Sequence, residues 1–117
     1  MVDVPEGADA AREEIFGPVV TVETFTDEDE DEDEAVRRAN DVPLGLSASV
    51  RTENARRSHA VAARLDFGTV WFDSHLVLSS EVPWDGFKGS GYGRDLSAYA
   101  LDDCSRTQHV MHHHART

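Results

Sequence analysis

Apolar positions along the chain fall into short blocks whose spacing switches between the period of a strand and that of a helix. Residues 19–25 (VVTVETF) are dense in β-branched and aromatic side chains and predict a strand. Eight consecutive acids follow at 27–34. Alone they would read as a solvated tail, but they lead into Ala35, Val36 and Ala39, which share one helical face. Thr26 or an early Asp can cap, carboxylates favour the positive helix end, and Arg37 and Arg38 fall in the later turns. The spacing predicts a helix over about 30–40, its first acids frayed.

Residues 40–45 (NDVPLG) have turn chemistry. Residues 46–51 place Leu46, Ala48 and Val50 on one side, as a strand does. A second helix starts at Thr52 with Ala55, His59, Ala62 and Leu65 on one side, and Gly68 ends it. Residues 69–74 (TVWFDS) predict a third strand. The order β-α-β-α-β predicts an α/β fold with helical crossovers and a mostly parallel sheet. Residues 75–94 are irregular and longer than an ordinary connection, and such loops are often functional. A short helix over about 96–103 and a last strand over about 105–112 close the chain. Residues 1–12, small, polar and acidic with Pro5 and Gly7, read as a loose lead-in.

Composition changes the picture in one respect. The formal net charge is -12, from 23 acidic and 11 basic residues, which argues against nucleic acid or an anionic membrane as partner. Lys88 is the one lysine; the other ten cations are arginines. Many acids with almost no lysine point to a chain bathed in concentrated salt, where ions screen self-repulsion. An acidic protein from a GC-rich genome is the alternative. Cys104 is the single cysteine, so no internal disulfide forms. No apolar run nears the roughly 20 residues of a membrane span, and the first residues lack a signal-peptide pattern. The expectation is a soluble cytoplasmic protein.

Two segments have candidate chemistry. The first runs over 13–18, Glu-Glu-Ile-Phe-Gly-Pro. Its Gly-Pro turn can hold Glu14 and Phe16 in a cleft, where a carboxylate accepts ribose hydroxyls and an aromatic flanks a nicotinamide. A capped turn with a packed Phe is the simpler account. The second, 83–95, has four glycines in eight residues, which demands unusual backbone angles or close approach. A phosphate cradle lacks its context: no strand leads directly into the glycines and no Gly-Lys-Ser/Thr end is present. A backbone wrapped tightly round a site, bearing Trp84 and Phe87, reads better.

Four motifs occur in one order: Glu-Glu-Ile-Phe-Gly-Pro-Val-Val from 13, Asp-Glu-Ala-Val-Arg-Arg-Ala-Asn from 33, Gly-Leu-Ser-Ala-Ser-Val from 45, and Pro-Trp-Asp-Gly-Phe-Lys-Gly-Ser-Gly-Tyr-Gly-Arg-Asp from 83. Together they resemble the aldehyde dehydrogenase superfamily over about residues 12–112. The stretches 79–84 and 95–101 resemble its aminoaldehyde branch, which takes γ-aminobutyraldehyde or betaine aldehyde. The resemblance implies the C-terminal half of the catalytic domain: 1–12 lead-in, 13–104 partial catalytic domain, 105–117 oligomerisation strand and tail. It also implies a cofactor, NAD or NADP, bound with a nucleotide domain lying upstream. Glu14 matches the glutamate that holds the nicotinamide ribose and Phe16 the phenylalanine beside that ring. Trp84, with Phe87, falls on the substrate tunnel, and Asp95 on an acid implicated in passing protons out.

Two residues depart from the pattern. Asp85 stands where glycine is usual and Asp73 where asparagine is usual. Family chemistry is attack by a cysteine thiolate, hydride transfer to nicotinamide, then thioester hydrolysis. In the family the cysteine and general-base glutamate lie well before the Glu-Ile-Phe-Gly-Pro segment. No catalytic nucleophile is therefore assigned here, and Cys104 reads as a structurally neutral thiol. His109, His112, His113 and His114 could hold Zn or Ni weakly, but no metal site is assigned. The implied partners are further copies or an N-terminal complementing chain. The implied function is aldehyde oxidation in the full-length context. The alternative is a non-catalytic remnant or interaction module that pairs through its last strand.

Overall fold

The computed structural model describes residues 2–3, 8–25 and 29–114. Its organising unit is a β-α-β crossover. Strand β4 (Ser47–Val50) pairs in parallel with β5 (Thr69–Phe72), register Ser47 to Thr69 through Val50 to Phe72, and helix α3 (Ala55–Ala62) connects them. A parallel pair needs such a crossover, because a tight turn cannot reverse the chain twice. The pleat sends alternate side chains to opposite faces. Phe72 points to α3, its ring centroid 5.0 Å from that of His59. Trp71, one residue earlier, points the other way and is buried.

Helix α2 (Asp29–Asn40) takes in much of the acidic run, close to the predicted span. Thr26 and the first acids lie outside the described residues. What turns a repelling run into a helix is arginine. Glu34 accepts from Arg37 at 2.6 Å and from Arg38 at 2.8 Å, the i+3 and i+4 neighbours. Glu32 pairs with Arg57 at 2.7 Å, and Asp33 with Arg64 at 2.5 Å, which ties α2 to α3 and the turn after it. Val36 is buried beneath them. At the end of α2, Asn40 works as a clip: its amide donates to the Arg64 carbonyl at 2.8 Å and accepts from Asp66 N–H at 2.9 Å.

Helix α3 begins later than expected. Its cap is Asn54, whose side chain accepts from Arg56 and Arg57 N–H at 3.1 Å each, the ordinary role of Asn at a helix start. Ser58 is buried and Val61, Ala62 and Leu65 are half-buried, while Ala55 and His59 are exposed. The expected face, Ala55 to Leu65, is therefore rotated.

Short elements complete the chain. Helix α1 (Asp9–Arg12) lies within the expected lead-in, and β1 (Val2–Asp3) pairs in parallel with β2 (Thr21–Val22). The expected strand over 19–25 reduces to those two residues. Strand β3 (Leu44–Gly45) pairs with β7 (Phe87–Lys88), and β6 (Trp84–Asp85) with β8 (Arg94–Asp95), both antiparallel. The expected mostly parallel sheet is thus corrected to four separate two-stranded pairs, two parallel and two antiparallel, among the described residues. The β6–β8 pair arises because the glycine-rich run folds back on itself, with Gly91 and Gly93 at φ 119° and 96°, whereas β7 leaves the run to pair with β3. Helix α4 (Ser97–Cys104) matches its prediction.

Residues 105–114 carry no strand and are exposed. The sequence has strand character there, but a strand exists only with a hydrogen-bonded neighbour, and none of the described residues supplies one. The accessible surface, 9600 Å², is well above the roughly 6,300 Å² that size scaling gives a compact monomer of this length. The hydrophobic core among the described residues is Val36 and Trp71.

One close approach fixes where the glycine run sits. A Cβ added to Gly68 would lie 2.0 Å from the Asp85 carbonyl oxygen. Gly68→Ala must therefore push β6 away from the start of β5. The expected cost is about 3 kcal/mol, the upper end for overpacking, read as a lowered urea midpoint at high salt. Glu34 gives a second prediction. Hydrogen bonds from Arg37, and next from Arg38, hold its carboxyl at about 2, below the ordinary 4.5. A depressed folded value stabilises above 4.5 and is lost as pH falls toward 2. Helical circular dichroism should decline across that window, and Glu34→Gln should flatten the decline.

Candidate functional site

Antiparallel pairing of β6 with β8 sets Trp84 directly opposite Asp95, and Asp85 opposite Arg94. Two of the residues singled out from sequence thus meet across one short ladder. They line a groove of about 350 Å³ together with Leu46, Asp85, Ser90 and Tyr92. Asp95 turns one carboxylate oxygen to the Leu96 N–H at 2.9 Å. Behind β8, Asp103 of α4 accepts the Arg94 N–H at 2.6 Å, and the Arg94 guanidinium lies 4.9 Å from the Tyr99 ring centre. Helix α4 therefore braces the strand that presents Asp95.

Glu14 lines a second groove of about 360 Å³ with Arg12, Leu44, Leu46, Phe67 and Ser90. Leu46 and Ser90 belong to both grooves, so the two are neighbours that share a wall. Ser90 is pinned there by accepting the Gly45 N–H at 2.9 Å. The Glu14 carboxylate is exposed, and no described residue pairs with it, which leaves both oxygens available to a ligand. Phe16 is 92 % exposed, held at φ 54° just before Gly17-Pro18. A left-handed φ at a bulky residue is uncommon; here it presents the ring to solvent rather than packing it. Phe87 sits on β7 against Gly45, away from Trp84's lining residues. Lys88, next to it, is held by the Asn40 carbonyl at 2.9 Å and by Asp66 at 3.5 Å.

The wall behind Trp84 was not singled out from sequence. Trp71 lies 5.6 Å from Trp84, ring centre to ring centre, and its indole N–H donates to the Val77 carbonyl at 2.8 Å. His75 meets Trp71 edge-on at 5.2 Å, and its Nδ1 shares a hydrogen bond of 2.7 Å with the Ser49 hydroxyl. The available signal was that the chain has two tryptophans, one in a strand and one in the candidate loop. Both departures from the motif are accommodated. Asp73 adopts φ 49°, a region that Asp tolerates better than most residues, and accepts the Thr52 N–H at 3.3 Å. Asp85 takes a strand conformation that requires no glycine.

Cys104 is free and exposed at the end of α4. His112 and His114 stack at 6.2 Å. Among the described residues no group of three or more His, Cys, Asp or Glu could hold a metal ion. No helix among them is long and apolar enough to cross a membrane.

Trp84 and Asp95 thus share one groove, and the neighbouring groove is lined by Glu14, which no described residue pairs with. The aldehyde dehydrogenase family model matches residues 1–110. An aldehyde dehydrogenase of Emericella nidulans is 41 % identical over 108 residues, covering 92 % of this chain and 21 % of that protein. Betaine aldehyde dehydrogenase 1 of Rhizobium meliloti is 46 % identical over 100 residues, covering 86 % and 20 %. Among solved structures, the aldehyde dehydrogenase KauB from Pseudomonas aeruginosa superposes with a TM-score of 0.79 at 45 % identity, covering 86 % of this chain and 20 % of that one. The NAD+ complex of an aldehyde dehydrogenase from Bacillus cereus gives 0.78 at 43 %, with the same coverage. The chain belongs to the aldehyde dehydrogenase family. It spans about a fifth of the length of the curated relatives it matches.

Proposed function

We propose that this chain is the C-terminal part of the catalytic domain of an NAD(P)-dependent aldehyde dehydrogenase that oxidises an aldehyde, of the aminoaldehyde or betaine aldehyde class, to a carboxylic acid. The observation that carries this reading is Trp84 facing Asp95 in a groove that adjoins the one lined by Glu14. When bound, the nicotinamide cofactor supplies the hydride acceptor. The residues present fit one end of it. Glu14 offers an unpaired carboxylate to ribose hydroxyls, and Phe16 offers an exposed ring face to nicotinamide. Trp84 excludes water from one side of the aldehyde path. Asp95 receives protons leaving the site. NAD is the preferred cofactor in this reading, because the resembled branch mostly uses it.

Completion of the site falls to another segment or chain that covers the exposed apolar surface, as a homo-oligomer or an N-terminal complementing chain. Val110 and Met111 in the extended tail are exposed and suited to pairing with a neighbouring strand. An interaction module without catalysis would use the same tail. A complementation assay separates the two. The 117-residue chain is mixed with an N-terminal segment carrying the nucleotide domain and cysteine, an aminoaldehyde and NAD. Reduced cofactor should appear with the pair and not with this chain alone, and Glu14→Gln should raise the KM for NAD about tenfold, the loss expected of a charge-assisted hydrogen bond. Binding of the segment without turnover favours the interaction module, and turnover by this chain alone contradicts both.

A further inference from the structure

The stretch from Asp73 to Trp84 leaves β5 through a strained turn. Asp73 and Leu76 both have left-handed φ, 49° and 57°. Such conformations persist only where the surroundings hold them. Three contacts do so. Thr52 donates its N–H to Asp73, the Trp71 indole donates to the Val77 carbonyl, and the Ser49 hydroxyl bonds His75 Nδ1 at 2.7 Å. The last one stands apart. Thr52 and Trp71 act on the backbone or the carboxylate at each end of the turn, whereas His75 puts a ring against the Trp71 edge and a polar atom on the neighbouring strand. Ser49 and Trp71 are register partners in the β4–β5 ladder, so they project from the same face. His75 therefore spans both strands and abuts the indole on which Trp84 rests.

We propose that His75 is a positioning residue, and that its bond to Ser49 latches the 73–83 turn so that Trp71 fixes the orientation of Trp84. The functional meaning rests on Trp84 being the substrate wall. The physical claim does not, since it concerns how two indoles are held. A hydroxyl both donates and accepts, so Ser49 can keep the bond whichever nitrogen of the imidazole carries the proton. Without the latch, Trp84 keeps its β6 backbone pairing but its ring samples other rotamers, and the groove facing Asp95 loses a defined wall.

The two tryptophans are the only ones in the chain, which gives a signature independent of activity. Indoles in near contact at a fixed angle produce an exciton couplet in circular dichroism, and Trp84→Phe identifies it by abolishing it. Ser49→Ala and His75→Leu are each expected to lose most of the couplet while the helical signal stays. Ser49→Thr, which keeps a hydroxyl on a strand that favours β-branching, is expected to restore it. A couplet unchanged in Ser49→Ala, or lost equally in Ser49→Thr, overturns the proposal. No aldehyde or cofactor enters this test. Its failure would leave the enzymatic reading standing, and an inactive complemented pair with an intact couplet would do the reverse.

Discussion

Trp71 is the joint on which the arrangement depends. It occupies the third register position of the only four-residue ladder among the described residues, and it is one of two buried apolar side chains there. Its ring leaves the pair on the face opposite α3 and meets Trp84, His75 and the Val77 carbonyl. A single large aromatic thus supplies apolar area, a satisfied N–H and a geometric reference for the loop. Apart from helix α4, the site side is otherwise built from two-residue pairs and turns, which have little stability alone. The close seat of Asp85 on Gly68 adds a second, purely steric constraint, at the start of β5.

The acidic surface and the arginine set form the other half of the construction. Glu32, Asp33 and Glu34 do not merely face solvent; they reach Arg57, Arg64, Arg37 and Arg38. Exposed pairs of this kind contribute little one at a time. Their use here is to let an acidic stretch adopt a helix and lie against α3 instead of repelling itself. Arginine suits this better than lysine because its planar fork can meet a carboxylate at two points, as Arg37 does with Glu34.

Much of this was legible in the sequence, and the failures have physical causes. The acidic helix was readable because Ala35, Val36 and Ala39 keep helical spacing, and the crossover because two alternating strands flank a helical block. The start of α3 was misplaced because Thr52 and Asn54 are both competent caps; Thr52 Oγ1 instead accepts the Asn54 N–H. The strand over 19–25 shrank to Thr21–Val22, and that over 105–112 did not form. β-branched composition records a readiness to pair, whereas pairing needs a partner. Of the candidate site, Trp84 and Asp95 came from a motif, but their juxtaposition is a matter of β6–β8 register that no spacing rule gives. Phe87 was grouped with Trp84 by proximity in sequence, yet Gly86 between them sends it to a different ladder. His75 lies in no motif, and Ser49 lies in one that gave no hint of its bond to His75.

Trp71 transmits order from the crossover to the site loop. Hydrogen exchange on Trp71→Phe tests it most directly, because this change removes the N–H bound to Val77 and part of the contact with Trp84 while leaving an aromatic in the ladder. Amides of Ser47–Val50 and Thr69–Phe72 should keep most of their protection, and those of Trp84–Asp85 and Arg94–Asp95 should exchange markedly faster. Protection at Trp84 and Asp95 identical to that of the parent chain would mean that the loop keeps its order without the Trp71 indole.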